Sequence, residues 1–341
     1  MMAQLDHEAH ALVWNHGVLS VESLGGMLGP TSFILPDGRQ IAPFQIAPWA
    51  NEPLSADVPG VLQRLRGEWP CVPYGSDIDR SAMAGWPASH ASRTVDTHPH
   101  GYCSNHLWRV EEVSGDTISV AIDYPAAHPI RRLERRVCAV SDRAAIDFEL
   151  GIEARHDCRI PIGLHPCFRL PTLPGAMQIE LPPSASSMSY PSAFDRSSLF
   201  APGQLAPQWN LVRGSDGNVL DVSRVPFAQH TEDLLQVLGV PGQASLWNAS
   251  EGYRVRIEWN PEHFPSVMLW YSNRGWQMAP WNGRHLAIGL EPICSAFELG
   301  QQISAAENPI SARGVATARS FRSGEQFVTR YRIGVESAER A

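Results

Sequence analysis

Long hydrophobic runs are missing from this sequence. No uninterrupted apolar stretch approaches the roughly 20 residues that a helix needs to cross a bilayer, and the opening Met1-Met2-Ala3-Gln4-Leu5-Asp6-His7-Glu8 has no charged segment leading into an apolar one. A cytoplasmic protein without a membrane partner is the expectation. Dense basic runs are missing too. With 27 Lys plus Arg against 35 Asp plus Glu the formal charge is -8, which excludes electrostatic attachment to phosphate backbones and so a nucleic-acid partner. Cysteine is sparse and scattered: the six, at 71, 103, 138, 158, 167 and 294, form no C-x-x-C pair. That excludes a disulfide scaffold and a structural zinc site and leaves buried, reduced thiols. Helical stripes with caps are also lacking. The 28 prolines and 27 glycines oppose long helices, and only Val61-Leu62-Gln63-Arg64-Leu65 suggests a short helical turn.

What is present is strand periodicity. Ile118, Val120 and Ile122 alternate with polar or small neighbours, as do Ile146, Phe148, Leu150 and Ile152. The rhythm returns in Val255, Ile257 and Trp259, and again in Phe327, Thr329, Tyr331 and Ile333. Turn residues punctuate the runs at Asp37-Gly38, Ser114-Gly115-Asp116, Ser141-Asp142-Arg143 and Ser215-Asp216-Gly217-Asn218, where antiparallel hairpins follow naturally. With 341 residues and 43% hydrophobic content, the pattern predicts a mainly β chain: a large antiparallel β-sandwich, one domain over 1–341, frayed at about 1–10 and 336–341. Two Pro-rich passages, Leu181 to Pro207 and Ala42 to Pro73, read as long excursions over the sheet that carry binding groups.

Several residues could carry chemistry. In Thr97-His98-Pro99-His100-Gly101-Tyr102 two imidazoles lie two residues apart and would share a face if extended. They could form part of a metal site, but no Glu follows at the short spacing such sites use and HExxH is absent. Alternatively His100, followed by a glycine that permits close approach, hydrogen-bonds a substrate oxygen. His165 follows the apolar Ile160-Pro161-Ile162-Gly163-Leu164 and suits a general acid, or else a core histidine bonded to a carbonyl. Glu291 interrupts Leu286-Ala287-Ile288-Gly289-Leu290-Glu291-Pro292-Ile293-Cys294, where a buried charge needs compensation from a functional partner or a structural Arg. Trp270, Tyr271, Trp276 and Trp281 crowd the preceding stretch with Asn273, Asn282 and Arg284. Aromatic faces plus amides suit a pyranose, whose C–H face packs on rings while its hydroxyls take hydrogen bonds. Sandwich core is the plainer reading of some of these tryptophans.

In order along the chain, His100-Gly101-Tyr102, His165-Pro166-Cys167-Phe168-Arg169-Leu170 and Gly289-Leu290-Glu291-Pro292 resemble the motifs of the aldose 1-epimerase (galactose mutarotase-like) family. Ser23-Leu24-Gly25-Gly26, Asp37-Gly38 and the stretch Arg66 to Gly75 are similar as well. The resemblance implies a β-supersandwich that interconverts the anomers of an aldose without metal or organic cofactor. It implies Glu291 as the base at the anomeric hydroxyl, His165 as the acid at the ring oxygen, and His100 as an assistant near that oxygen. Arg66, Trp281 and Asn282, together with Glu232 or Asp233, are the candidate substrate binders.

The chain departs from the pattern of the hexose-phosphate branch, which has an Arg four residues after the His-Gly histidine. Here that position is Ser104, which argues against a phosphorylated substrate unless Arg66 or Arg284 binds it. The expected partner is a monosaccharide, with a second copy of the chain as the one protein partner considered. Three other readings stay open: a catalytically silent sugar binder on the same scaffold, metal-dependent chemistry at His98 and His100, and a glycoside hydrolase or lyase. The last needs paired carboxylates, whereas this sequence offers one carboxylate and a histidine.

Overall fold

A computed structural model describes residues 8–338. Two large antiparallel sheets dominate it. The first has nine strands, ordered Arg224–Val225, Met177–Glu180, Gln243–Asn248, Tyr253–Trp259, Gln326–Ser337, Ala145–Ala154, Ile130–Ala139, Thr117–Asp123 and Arg109–Ser114. Its central strands alternate as the sequence predicts. Phe327, Tyr331 and Ile333 point inward while Arg330 and Arg332 face outward, where they pair with Glu149 and Asp147 on the neighbouring strand.

The second sheet has eight strands. Its path runs Leu205–Ala206, Ser186–Ser189, Thr231–Leu238, Ser266–Asn273, Leu286–Cys294, Ile162–Leu164 and Pro70–Cys71, with Cys167–Arg169 also pairing to Leu286–Cys294. Every residue of Thr231–Leu238, Ser266–Asn273 and Leu286–Cys294 is buried, because this sheet is covered on both faces. One face carries Leu235, Val237, Val267, Leu269, Tyr271, Ile288 and Leu290 into the main core between the sheets. The opposite face carries Leu234, Met268, Trp270 and Ile293 into a second cluster with Trp49, Trp69, Tyr74, Trp281 and Phe297.

The Pro-rich passages do more than skirt the sheet. Residues 42–73 contribute the short helix Gly60–Gln63 and the strand Pro70–Cys71, and residues 181–207 contribute Ser186–Ser189 and Leu205–Ala206. Strand order also reaches further toward the ends than expected. Ala9–Trp14 pairs with Gly17–Glu22, and Gln326–Ser337 pairs with Tyr253–Trp259 up to Ser337. The remainder of the stretches expected to fray, 1–7 and 339–341, lies outside the described residues. All six cysteines are free thiols. Among the described residues, no helix is long and apolar enough to cross a membrane.

Candidate active site

The second face of the eight-stranded sheet forms the floor of a cavity of about 380 Å3. Period-two geometry places Glu291 there: Leu290 and Pro292 point the other way, and cross-strand pairing sets Met268 opposite Glu291 and Trp270 opposite Gly289. Gly289 is required at its position. A Cβ there would lie 2.2 Å from Glu291 Oε1 and 3.0 Å from the Trp270 Cβ, so only glycine leaves room for the carboxyl.

His165 sits in the short connection between Ile162–Leu164 and Cys167–Arg169, and its backbone N–H donates to the Trp69 carbonyl at 2.8 Å. Its ring lies flat on Trp69, with centroids 4.1 Å apart and planes 15° from parallel. Nδ1 lies 3.3 Å from Cys167 Sγ, which leaves Nε2 facing Glu291 Oε2 at 3.5 Å. Among the described residues no arginine pairs with Glu291. Its partners are His165 and the Tyr74 hydroxyl, which donates a short hydrogen bond to Oε2. Gly163 makes space for Tyr74, since a Cβ there would meet the phenol ring at 2.4 Å.

His100 completes the group, but not in an extended segment. Its backbone is left-handed (φ 59°), its N–H donates to the Gly75 carbonyl at 2.9 Å and its carbonyl accepts from Ser104 Oγ at 2.7 Å. This turn separates the two imidazoles that an extended strand would have aligned. His98 is held by Asp96, 2.8 Å from its Nδ1, whereas His100 lines the cavity with its ring 4.9 Å from that of His165. The two rings therefore do not converge as metal ligands. Ser104, at the position where the hexose-phosphate branch has an Arg, anchors the His100 turn.

Burial dominates the electrostatics. It pushes the Glu291 carboxyl well above its ordinary value, against the Tyr74 hydrogen bond, which pulls it down. Burial likewise holds His165 well below the usual imidazole range, helped by the neighbouring His100, and lowers His100 to about 4. Between these limits the His165–Glu291 pair holds one proton, and burial of both groups favours it on Glu291 with His165 neutral. His100 Nδ1 and Glu291 Oε1 are buried with no protein partner among the described residues.

The aromatic wall is built from Trp270, Trp276 and Trp281, with ring centroids 4.6 to 6.1 Å apart. Glu232 secures it without lining the cavity. Its carboxylate accepts from Trp270 Nε1 at 3.1 Å, Ser272 Oγ at 3.0 Å and the N–H groups of Gly275 and Trp276 at 3.2 and 3.4 Å. Asp233 points to the opposite face of its strand and accepts from the Leu199 and Phe200 N–H groups, so it anchors a loop away from the cavity.

Three further candidates lie outside the cavity lining. Arg66 is buried in an ion pair with Glu22 at 2.9 Å and does not line the cavity. Asn282 is exposed on a left-handed turn (φ 48°), its amide 3.4 Å from the Pro280 carbonyl. Arg284 is bound to Glu52 at 2.6 Å. Of the amides and aromatics grouped before Glu291, Tyr271 belongs to the main core and Asn273 ties down the Phe227 and Gln229 carbonyls.

Tyr74 and Glu298 line the cavity but were not singled out from the sequence. Glu298 could have been: like Glu291, it is a lone carboxylate in an apolar run, Ala296-Phe297-Glu298-Leu299. A tyrosine between proline and glycine carries no comparable signal.

No family model matches this sequence, and no curated protein does. Solved structures do match, over nearly the whole chain. A candidate aldose 1-epimerase from Escherichia coli K12 superposes with a TM-score of 0.66 at 16% identity, covering 97% of this chain and 99% of its own. A galactose mutarotase related enzyme from Lactobacillus acidophilus gives 0.61 at 12% identity, covering 97% and 98%. A galactose mutarotase-like protein from Clostridium acetobutylicum gives 0.61 at 12%, covering 99% and 97%. At such identities the likeness is one of fold.

Proposed function

We propose that this galactose mutarotase-like fold serves here as an aldose 1-epimerase, opening and reclosing the ring of a free aldose by acid and base catalysis. The observation that carries this reading is the approach of His165 Nε2 to Glu291 Oε2, 3.5 Å apart in one aromatic-walled cavity of monosaccharide size. The hydroxyl oxygen and the ring oxygen of a pyranose share one carbon, C1. An acid and a base side by side on one cavity wall are what that geometry calls for.

From the less populated arrangement of the pair, with the proton on His165, Glu291 takes the hydrogen from O1 as the C1–O1 bond becomes a carbonyl. The C1–O5 bond breaks, and His165 delivers its proton to O5. Glu291 is then protonated and His165 neutral, the arrangement that burial of both groups favours. Rotation about C1–C2 presents the other carbonyl face. The reverse transfers close the ring as the opposite anomer and restore the starting protonation, so no proton is consumed. The free His100 Nδ1 assists by hydrogen-bonding near O5. The chain contains no lysine, so an imine between a lysine amine and the open-chain aldehyde is not an available route, and proton transfer is left.

The lining favours a sugar without an anionic group. Among the described residues no Arg or Lys lines the cavity, and Arg66 and Arg284 are committed to Glu22 and Glu52. Exchange NMR across a panel of aldoses is the test. Anomer exchange accelerated by the protein should fall by about 10²- to 10⁴-fold in Glu291→Gln and in His165→Asn with binding retained. Sugars that bind without any acceleration in either form would replace this reading with a silent sugar-binding protein.

A further inference from the structure

One carboxyl in the cavity takes no part in ring opening and has no hydrogen-bond or ion-pair partner among the described residues. Glu298 follows Phe297, whose left-handed backbone (φ 48°) turns the chain just beyond Leu286–Cys294. Its backbone is clamped, with the Ser76 N–H donating to the Glu298 carbonyl at 3.1 Å. Its side chain lines the cavity yet makes no hydrogen bond or ion pair among the described residues. Burial raises it to about 7, opposed only by the charge of Arg80, whose guanidinium is occupied with the Ser76 carbonyl at 2.8 Å and the Leu299 carbonyl at 3.3 Å.

Glu298 is half-buried and meets no polar group of the described residues inside the cavity, so an occupant that displaces water from its carboxyl has to bring a counter-charge or donors. The other lining groups narrow its chemistry. Six aromatic residues surround the space (Trp69, Tyr74, Phe194, Trp270, Trp276 and Trp281), the only carboxyls are Glu291 and Glu298, and no cation lines it. Ring faces attract cations, and a lining with an ionisable carboxyl and no cation offers an anion nothing to pair with.

We infer that the preferred substrate is an amino aldose, a sugar bearing a free ammonium, with Glu298 as the residue that binds the ammonium and the aromatic wall as its flank. This rests on the ring-opening reading for what happens at C1, but not for what happens at Glu298.

The test compares 2-, 3- and 6-amino-deoxyglucose with glucose, glucuronate and glucose 6-phosphate at pH 7, reading binding by titration calorimetry and anomer exchange by NMR. At least one amino sugar should bind about tenfold more tightly than glucose, and the two anionic sugars should bind more weakly than glucose. In Glu298→Gln the ratio of amino-sugar to glucose affinity should drop to near one. An N-methyl derivative, which keeps the charge, should retain the advantage on the wild-type protein, and an N-formyl derivative should lose it. That comparison needs no variant to fold. Equal binding of amino sugars and glucose, or an unchanged ratio in Glu298→Gln, overturns the inference. Exchange of glucose without any amine advantage overturns it alone. An amine advantage without exchange of any sugar overturns the ring-opening reading and leaves this one standing.

Discussion

The Tyr74 hydroxyl donates to Glu291 Oε2, the same oxygen that lies 3.5 Å from His165 Nε2. A single carboxylate oxygen is thus held by a neutral donor on one side and faces its proton-exchange partner on the other. Tyr74→Phe removes the interaction that offsets burial, so Glu291 becomes harder to ionise. The expected loss is about 1.5–3 kcal/mol in kcat, the range for a hydrogen bond to a charged group, with KM little changed. Steady-state kinetics check the split between the two constants, and a pH profile should show the alkaline limb moved upward.

The wild-type pH profile follows from the two shifts. His165 lies well below its ordinary value and Glu291 well above, so across the interval between them the pair holds the one proton the mechanism needs. Activity should fall on the acid side only below the usual imidazole range, where His165 gains a second proton for the pair. It should fall on the alkaline side above the usual carboxylate range, where Glu291 gives up the last one. Rates of anomer exchange from pH 4 to pH 10 measure both limbs.

Arg66 is a structural cation by its contacts, so Arg66→Met should cost stability and leave sugar selectivity alone. Breaking a buried ion pair by removing one partner costs about 3–5 kcal/mol, and Glu22, only 3% exposed, would keep just the more distant Arg64, at 3.8 Å. Urea unfolding measures the loss. A variant of wild-type stability with altered sugar preference would place Arg66 in the binding machinery after all.

Glu232→Gln tests the support behind the aromatic wall. At pH 5 the folded protein holds Glu232 protonated, and its two oxygens still face four donors where an amide offers one acceptor oxygen, so about 1–3 kcal/mol of stability should be lost. The difference should shrink by pH 8. Burial raises Glu232 from 4.5 to about 8 in the folded protein, so the wild type loses stability as the pH climbs through that window while the glutamine variant does not. Chemical denaturation at the two pH values gives the comparison.

The nine-stranded sheet was legible because one of its faces is wet, so Ala145–Ala154 and Gln326–Ser337 announce themselves by alternation. The strands beneath the cavity were harder to read. Ser266–Asn273 and Leu286–Cys294 are buried on both faces, which erases the period-two signal. Glu291 stood out for that very reason, as a charge where none belongs. His165 was legible from the apolar run before it, but its stacking on Trp69, 96 positions earlier in the chain, could not be seen. Arg66 gives no sign in the sequence of its partner Glu22, which lies 44 residues away. The pair 232 and 233 could not be resolved until strand direction showed that adjacent residues face opposite sides. His98 and His100 were aligned on paper by an extended backbone that the left-handed turn at His100 does not allow.

Leu286–Cys294 presents Leu290 to the main core and Glu291 to the cavity. Turnover and cohesion therefore hang from one beam. Trimming a methyl group on its hidden underside weakens the core and shifts the support of the carboxyl above, so damage far from any sugar should register in the proposed ring opening as well as in the fold.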